Sequence, residues 1–293
     1  MRRKLKKITV YDGVITTIMS LGALLCLLPM INVLAESLSA NANVIAGDVS
    51  FWPVGFTFNS YVYVLKRWTF WNAMVVSICR VLLGGIINVA LCALTGYPLS
   101  KTNHRFKMRT FYAWFVFFTC LFSGGLIPWY VTIKELRLLD TIWALVLPGA
   151  VPVFNVLLML NYYRGIPVEM EEAAVIDGAG EWRIWARVIL PISVPALATI
   201  AVFSLVNHWN SWFDGIVLMN RIENQPLSSY LRVLLYQSKI IQPGAYAKEE
   251  LSQISEHTLQ AAQVFIAIIP IMLAYPFMQK HFVKGIMLGG VKA

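Results

Sequence analysis

An all-α integral membrane protein with six spanning helices is the fold class this sequence predicts, and three observations predict it. Residues of the Ala, Val, Ile, Leu, Met, Phe, Trp, Tyr and Cys set make up 58% of the 293 residues, only 13% are charged, and mean hydropathy is +0.65. Soluble domains carry about 25% charged residues, so the composition argues against a soluble enzyme, and it excludes disorder. The apolar residues also gather into six runs, and a helix crossing the hydrocarbon core of roughly 30 Å needs about 20 of them. Finally, Lys and Arg are spread unevenly over the segments between the runs, as positively charged cytoplasmic loops require.

The runs cover residues 13–35, 71–98, 110–128, 141–161, 190–219 and 259–279. Ahead of the first stand Arg2, Arg3, Lys4, Lys6 and Lys7, an arrangement that also suits a signal peptide. A signal's apolar stretch is only about 7–15 residues, whereas this run is longer and five more follow, so an uncleaved first helix is expected. The second run contains Arg80 and the pair Gly84-Gly85; Gly124-Gly125, Pro148 and Pro270 interrupt later ones. Membrane bundles tolerate such residues, which let helices bend or approach closely. The alternation of a transmembrane β-strand is absent. With the N-terminus in the cytoplasm, segments 1–12, 99–109, 162–189 and 280–293 hold 15 basic residues and the outer segments 8. Both termini are therefore expected inside. The longest outer segment, 220–258, is too short for a sizeable soluble domain. The chain divides into an N-terminal part with the first span (1–70), a five-helix core (71–280) and a C-terminal tail (281–293).

Chemistry is sparse. There is no GxxxxGK[ST] loop, no HExxH and no nucleophile elbow. Cys26, Cys79, Cys92 and Cys120 lack CxxC spacing, and His104, His208, His257 and His281 stand far apart, read as loop or helix-end residues rather than metal ligands. No bound cofactor, metal or nucleic acid is expected, and the net charge of +9 is put down to membrane orientation. Active transport by such a chain would draw on another polypeptide or on an ion gradient.

The segment 167–191 is different. Pro167 suits a first helical turn, and Glu169, Glu171 and Glu172 favour the positive end of a short helix. Ala173 and Ala174 form helix readily and leave room for another protein's surface. Gly178 can end the helix in a left-handed conformation. Trp182, Ile184, Trp185 and Val188 then form an amphipathic stretch before Leu190-Pro191 opens the next span. An ordinary interfacial helix would carry the same periodicity.

The spacing goes further. Glu172-Ala173-Ala174, three residues, Gly178, nine residues, then Val188-x-Leu190-Pro191 resembles the EAA signature of importer-type ABC permeases, EAA-x3-G-x9-I-x-LP, with Val188 the one departure. Residues 93–100, 123–128, 139–148 and 209–213 look like the carbohydrate branch, similar to the LplC/YtcP group and of the MalG type, and the resemblance covers about residues 8–293. It implies a type I permease bundle of six helices in a prokaryotic cell membrane, paired with a second homologous permease. It further implies a cytoplasmic ABC ATPase dimer that binds ATP and Mg, and an extracytoplasmic binding protein that delivers an oligosaccharide. On this chain the ATPase-coupling residues become Glu172, Ala173, Ala174, Gly178, Leu190 and Pro191, with no catalytic residue. The tail from Lys284 resembles one that reaches the ATPase.

Charges inside spans are functional suspects. Arg80 and Asp214 either pair or meet a passing solute, or Arg80 snorkels to the interface. Trp209, Asn210 and Trp212 beside Asp214 suit the apolar faces and hydroxyl rims of sugar rings; an aromatic belt is the competing reading. If 190–219 is one helix, Trp209 aligns with Trp212 and Asn210 with Asp214, giving two adjacent stripes. Two other functions stand beside a sugar importer: a permease for another solute, and an ion-coupled secondary transporter, although such proteins usually have more spans.

Overall fold

The computed structural model describes residues 10–237 and 256–290. The basic cluster at Arg2–Lys7, part of the segment 220–258 and the last three residues of the tail lie outside the described residues. Among the described residues every regular element is helical. The described residues form two compact units, one of residues 10–67, 234–237 and 256–269, the other of residues 68–233 and 270–290.

In the first unit, α1 (Val10–Ser37) is followed by α2 (Asn41–Ala46) and α3 (Asn59–Lys66). The connection folds back on the end of α1. Thr57 N–H donates to the Leu38 carbonyl at 2.9 Å, Val54 N–H to Ser39 Oγ at 3.0 Å, and the Ser37 and Tyr61 hydroxyls bond at 2.7 Å.

In the second unit, α4 (Trp68–Ser100) is one uninterrupted helix of 33 residues. Both α1 and α4 are long and apolar enough to cross a membrane alone. The next three expected spans are all broken, the first two near the Gly124-Gly125 and Pro148 interruptions and the last in two places, which corrects the reading of 190–219 as one helix. α5 (Arg109–Leu121) ends in extended Phe122, and Gly125, at φ +87°, sends α6 (Leu126–Glu135) off at 113°. Only glycine takes that backbone conformation without strain. α7 (Ile142–Val146) and a 3-10 turn at Leu147–Gly149 meet α8 (Val153–Arg164) at 47°. Pro148 and Pro152 lie at that break, and neither has an N–H to continue a helix. After α9 (Glu169–Ile176), α10 (Glu181–Ile184), a π-turn (Trp185–Ile189) and α11 (Leu190–Ile192) lead to α12 (Val194–Asn210) through a 78° bend. At that bend Ser193 Oγ donates back to the Ile189 carbonyl at 2.7 Å. α13 (Phe213–Leu218), α14 (Leu227–Gln237) and α15 (Glu256–Gly290) complete the order. α15 contains the apolar stretch His257–Leu273, which overlaps the sixth expected run.

Glycines decide how closely the other helices approach α4. A Cβ at Gly85 would lie 2.9 Å from Leu205 Cδ2 of α12, and one at Gly96 3.0 Å from Met159 Cβ of α8. Polar side chains then close the breaks. Asn88 of α4 donates to the Gly149 and Ala150 carbonyls, both at 2.9 Å, where the chain between α7 and α8 has left helix geometry. Asn155 of α8 donates to Ser204 of α12 at 3.2 Å. Such groups must be satisfied inside the protein because a bilayer offers them no water.

Candidate functional site

The breaks in the helices create a cavity. About 660 Å³ lies between α4, the turn at Ser123–Gly125, α6, the α7 end and the α12–α13 junction. Its wall includes Arg80, Trp129, Thr132, Asn207, His208, Ser211, Phe213 and Asp214. That mix of aromatic faces with hydroxyl and amide groups can hold a polar ring-shaped solute.

Arg80 and Asp214 are brought together. Arg80, 2% exposed, forks onto both carboxylate oxygens of Asp214, its Nη1 reaching Oδ1 at 3.2 Å, and Nη1 also donates to the Ser211 carbonyl at 3.0 Å. The Ser211 hydroxyl and Gly215 N–H donate to Oδ1 of Asp214 at 2.9 and 3.0 Å. The Arg80 charge is thus matched where it sits, and the snorkelling alternative falls away. A forked arginine-carboxylate pair fixes direction as well as charge.

The other residues expected on the solute path fare differently. α12 ends at Asn210, Ser211 is extended, and α13 starts at Phe213. The two aligned stripes on one helix therefore do not exist. Trp209 is half-buried and Asn210 exposed, and neither is among the residues lining the cavity. Trp212 is also off the lining; the Arg232 guanidinium lies over its ring at 4.4 Å and Phe213 meets it edge-on at 5.8 Å. Sequence reasoning missed Asn207, Ser211, Thr132, Trp129 and His208. His208 does sit near the end of α12, but it is buried, with Nε2 3.0 Å from Asn88 Oδ1 and its ring against Gly84. The Gly84-Gly85 pair was the available signal that something bulky packs there.

The second region is the segment after α8. α9 begins two residues after Pro167, with Glu169, Glu171 and Glu172 in its first turn. Its end is a complete Schellman motif. Ala179 N–H donates to the Ala174 carbonyl and Gly178 N–H to the Val175 carbonyl, both at 2.9 Å, with Gly178 at φ +74°. Glu172, Ala173 and Gly178 are exposed, while Ala174 is half-buried and packs with Ala179 against the core under α4 and α8. Val175 and Ile176 are exposed apolar side chains beside them, Ile176 at 86%. Leu190, half-buried, and Pro191, exposed, stand apart from this surface, where the π-turn meets α11.

Broken membrane helices around a cavity with polar groups on its wall, and a short exposed helix held on one loop, define a helical membrane permease. No family model matches the sequence. The chain is 34% identical over 282 residues to the polygalacturonan/rhamnogalacturonan transport system permease protein YtcP of Bacillus subtilis (strain 168), covering 96% of this chain and 98% of that one. It is 36% identical over 266 residues to protein LplC of the same organism, covering 91% and 89%. Among solved structures it resembles a bacterial ABC transporter involved in the import of the acidic polysaccharide alginate, with TM-score 0.83 and 30% identity over 96% of this chain and 100% of that one. The chain belongs to the carbohydrate permease family of ABC importers.

Proposed function

We propose that this chain forms one half of the pathway of an ATP-driven oligosaccharide importer, beside a second homologous permease. A cytoplasmic ATPase dimer holds ATP and Mg, and an extracytoplasmic binding protein delivers the solute. The chain crosses a prokaryotic cell membrane six times with both termini cytoplasmic, a reading supported by the uneven basic residues. The cavity wall around Trp129, Phe213, Asn207 and Ser211 offers stacking faces and hydrogen-bond partners to a sugar. ATP binding closes the ATPase and moves the docked α9; hydrolysis and release reverse the movement.

The observation that carries this reading is α9. Glu172 and Ala173 face outward on a helix whose far end is closed by its own backbone bonds, so a partner can take the exposed face without unravelling it. Ala173→Trp tests it. A bulky ring on a close-fitting surface costs about 1–3 kcal/mol through overpacking, enough to misalign docking. The variant should insert in the membrane at normal level and lose uptake into proteoliposomes of the full complex. Normal uptake would exclude α9 as the docking helix. A narrower reading, an oligosaccharide bearing carboxylates, is favoured by the likeness to the alginate importer. Stronger stimulation of ATP hydrolysis by uronate oligomers than by neutral ones of equal length supports it.

A further inference from the structure

Glu171 and Glu172 are neighbours on α9 that face different ways. Glu172 is exposed, whereas Glu171 turns back onto the chain and is shared by Lys101 and, at 2.9 Å, Arg105. Lys101 directly follows the last residue of α4, and its ammonium stands 3.9 Å from the centroid of the Tyr97 ring. The Tyr97 hydroxyl donates to Glu181 of α10 at 3.2 Å. Arg109 Nε closes the turn by donating to the Leu99 carbonyl at 3.0 Å. Under these polar contacts Tyr97, Leu99, Ile184 and Ile189 are buried together, and Ala174 packs against them.

The inner face of the loop is thus fastened to one end of α4 while its outer face stays open. From Tyr97 α4 runs without a break to Arg80, roughly 26 Å along the axis at about 1.5 Å per residue. At Arg80 the same helix holds the cavity wall through Asp214, and at Gly84 it seats His208. The bent helix pairs packed beside α4 offer no comparable straight path.

We propose that Glu171 is a positioning residue that locks α9 to α4, so that the two move as one body and α4 carries the displacement of α9 to the cavity. This rests on α9 being the docking helix. Two measurements on the full complex in proteoliposomes, in a background without native cysteines, test it. Spin labels at His104→Cys and Asp177→Cys report the separation of α9 from the turn after α4. Ser123 lines the cavity, so the rate at which Ser123→Cys reacts with an impermeant thiol reagent reports whether ATP trapping reaches the cavity.

In the parent protein the label separation should be the same without nucleotide and with ATP trapped, while the thiol rate at position 123 changes. Glu171→Gln should broaden the separation and shrink the ATP-dependent change in that rate at least fivefold, with ATP hydrolysis within twofold of the parent. The exchange Lys101→Glu with Glu171→Lys, which rebuilds the ion pair, should restore both. An unchanged separation and thiol response in Glu171→Gln overturns the proposal. So does parallel loss of hydrolysis and response that the exchange leaves unrepaired, which marks a role in assembly alone. In either case a block of uptake by Ala173→Trp leaves the docking reading standing, whereas normal uptake in that variant removes the docking reading itself.

Discussion

Near its middle and at its end, α4 handles charge differently. Near the cavity one arginine meets one aspartate, with side chains 3% and 18% exposed, and further donors from Ser211 and Gly215 complete the carboxylate. At the end a single carboxylate, Glu171, is divided between Lys101 and Arg105, the latter 37% exposed. In the first arrangement the loss of one partner strands a charge away from water. In the second, either cation can leave and Glu171 keeps the other. A one-to-one pair is therefore all-or-nothing, whereas a shared carboxylate, here no more exposed than Asp214 (15% against 18%), loses its partners one at a time. The cavity wall depends on a single pair, and the attachment of α9 is held twice.

The largest effect expected from this contrast is at Asp214. Asp214→Ala leaves Arg80 buried and unmatched, which costs about 3–5 kcal/mol. Thermal unfolding in detergent should show a large fall in midpoint, and Arg80→Met combined with Asp214→Leu should recover most of it. A single variant as stable as the parent would break the comparison. Gly84→Ala probes the same stretch of α4 without touching a charge. Its methyl group would collide with the His208 ring, so a loss of about 1–3 kcal/mol from overpacking is expected, read by the same unfolding midpoint and undone by His208→Ala. Smallest is Lys101→Ala. Glu171 retains Arg105, so the loss of stability should be clearly smaller than that of Asp214→Ala. A loss as large as that of Asp214→Ala would erase the distinction between the two pairings.

Legibility in the sequence followed the range of the interactions involved. The α9 loop could be read because its signals are local: Pro167, three glutamates and Gly178 each act within one or two turns, and the Schellman bonds reach only from Ala179 to Ala174. Arg80 and Asp214 stood out because an ion in an apolar run needs a partner. The cavity did not stand out. Its wall comes from residues near 80, 123–132, 144–149 and 207–214, and their meeting depends on three bends. Hydropathy reads straight through those bends, since Ser193, Pro195 and Ser211 hardly interrupt an apolar run. Trp209 and Asn210 close α12 beside Asn207 and His208 without lining the cavity, and Trp212 falls beyond the end of that helix. His208 was passed over because its partners, Gly84 and Asn88, lie more than a hundred residues away.

The early stop of α5 has a consequence for the surrounding lipid. Thirteen residues make a helix about 20 Å long, against roughly 30 Å of hydrocarbon. Phe111, Trp114, Phe115 and Phe118 are left uncovered by the rest of the chain. So short an apolar wall is met by thinning of the bilayer, by snorkelling of flanking side chains or by packing against another protein, each at a modest cost. Where lipid meets that wall, acyl-chain length enters the energy of the protein, and a rearrangement that straightens the 113° turn between α5 and α6 works with or against the thickness of the membrane around it.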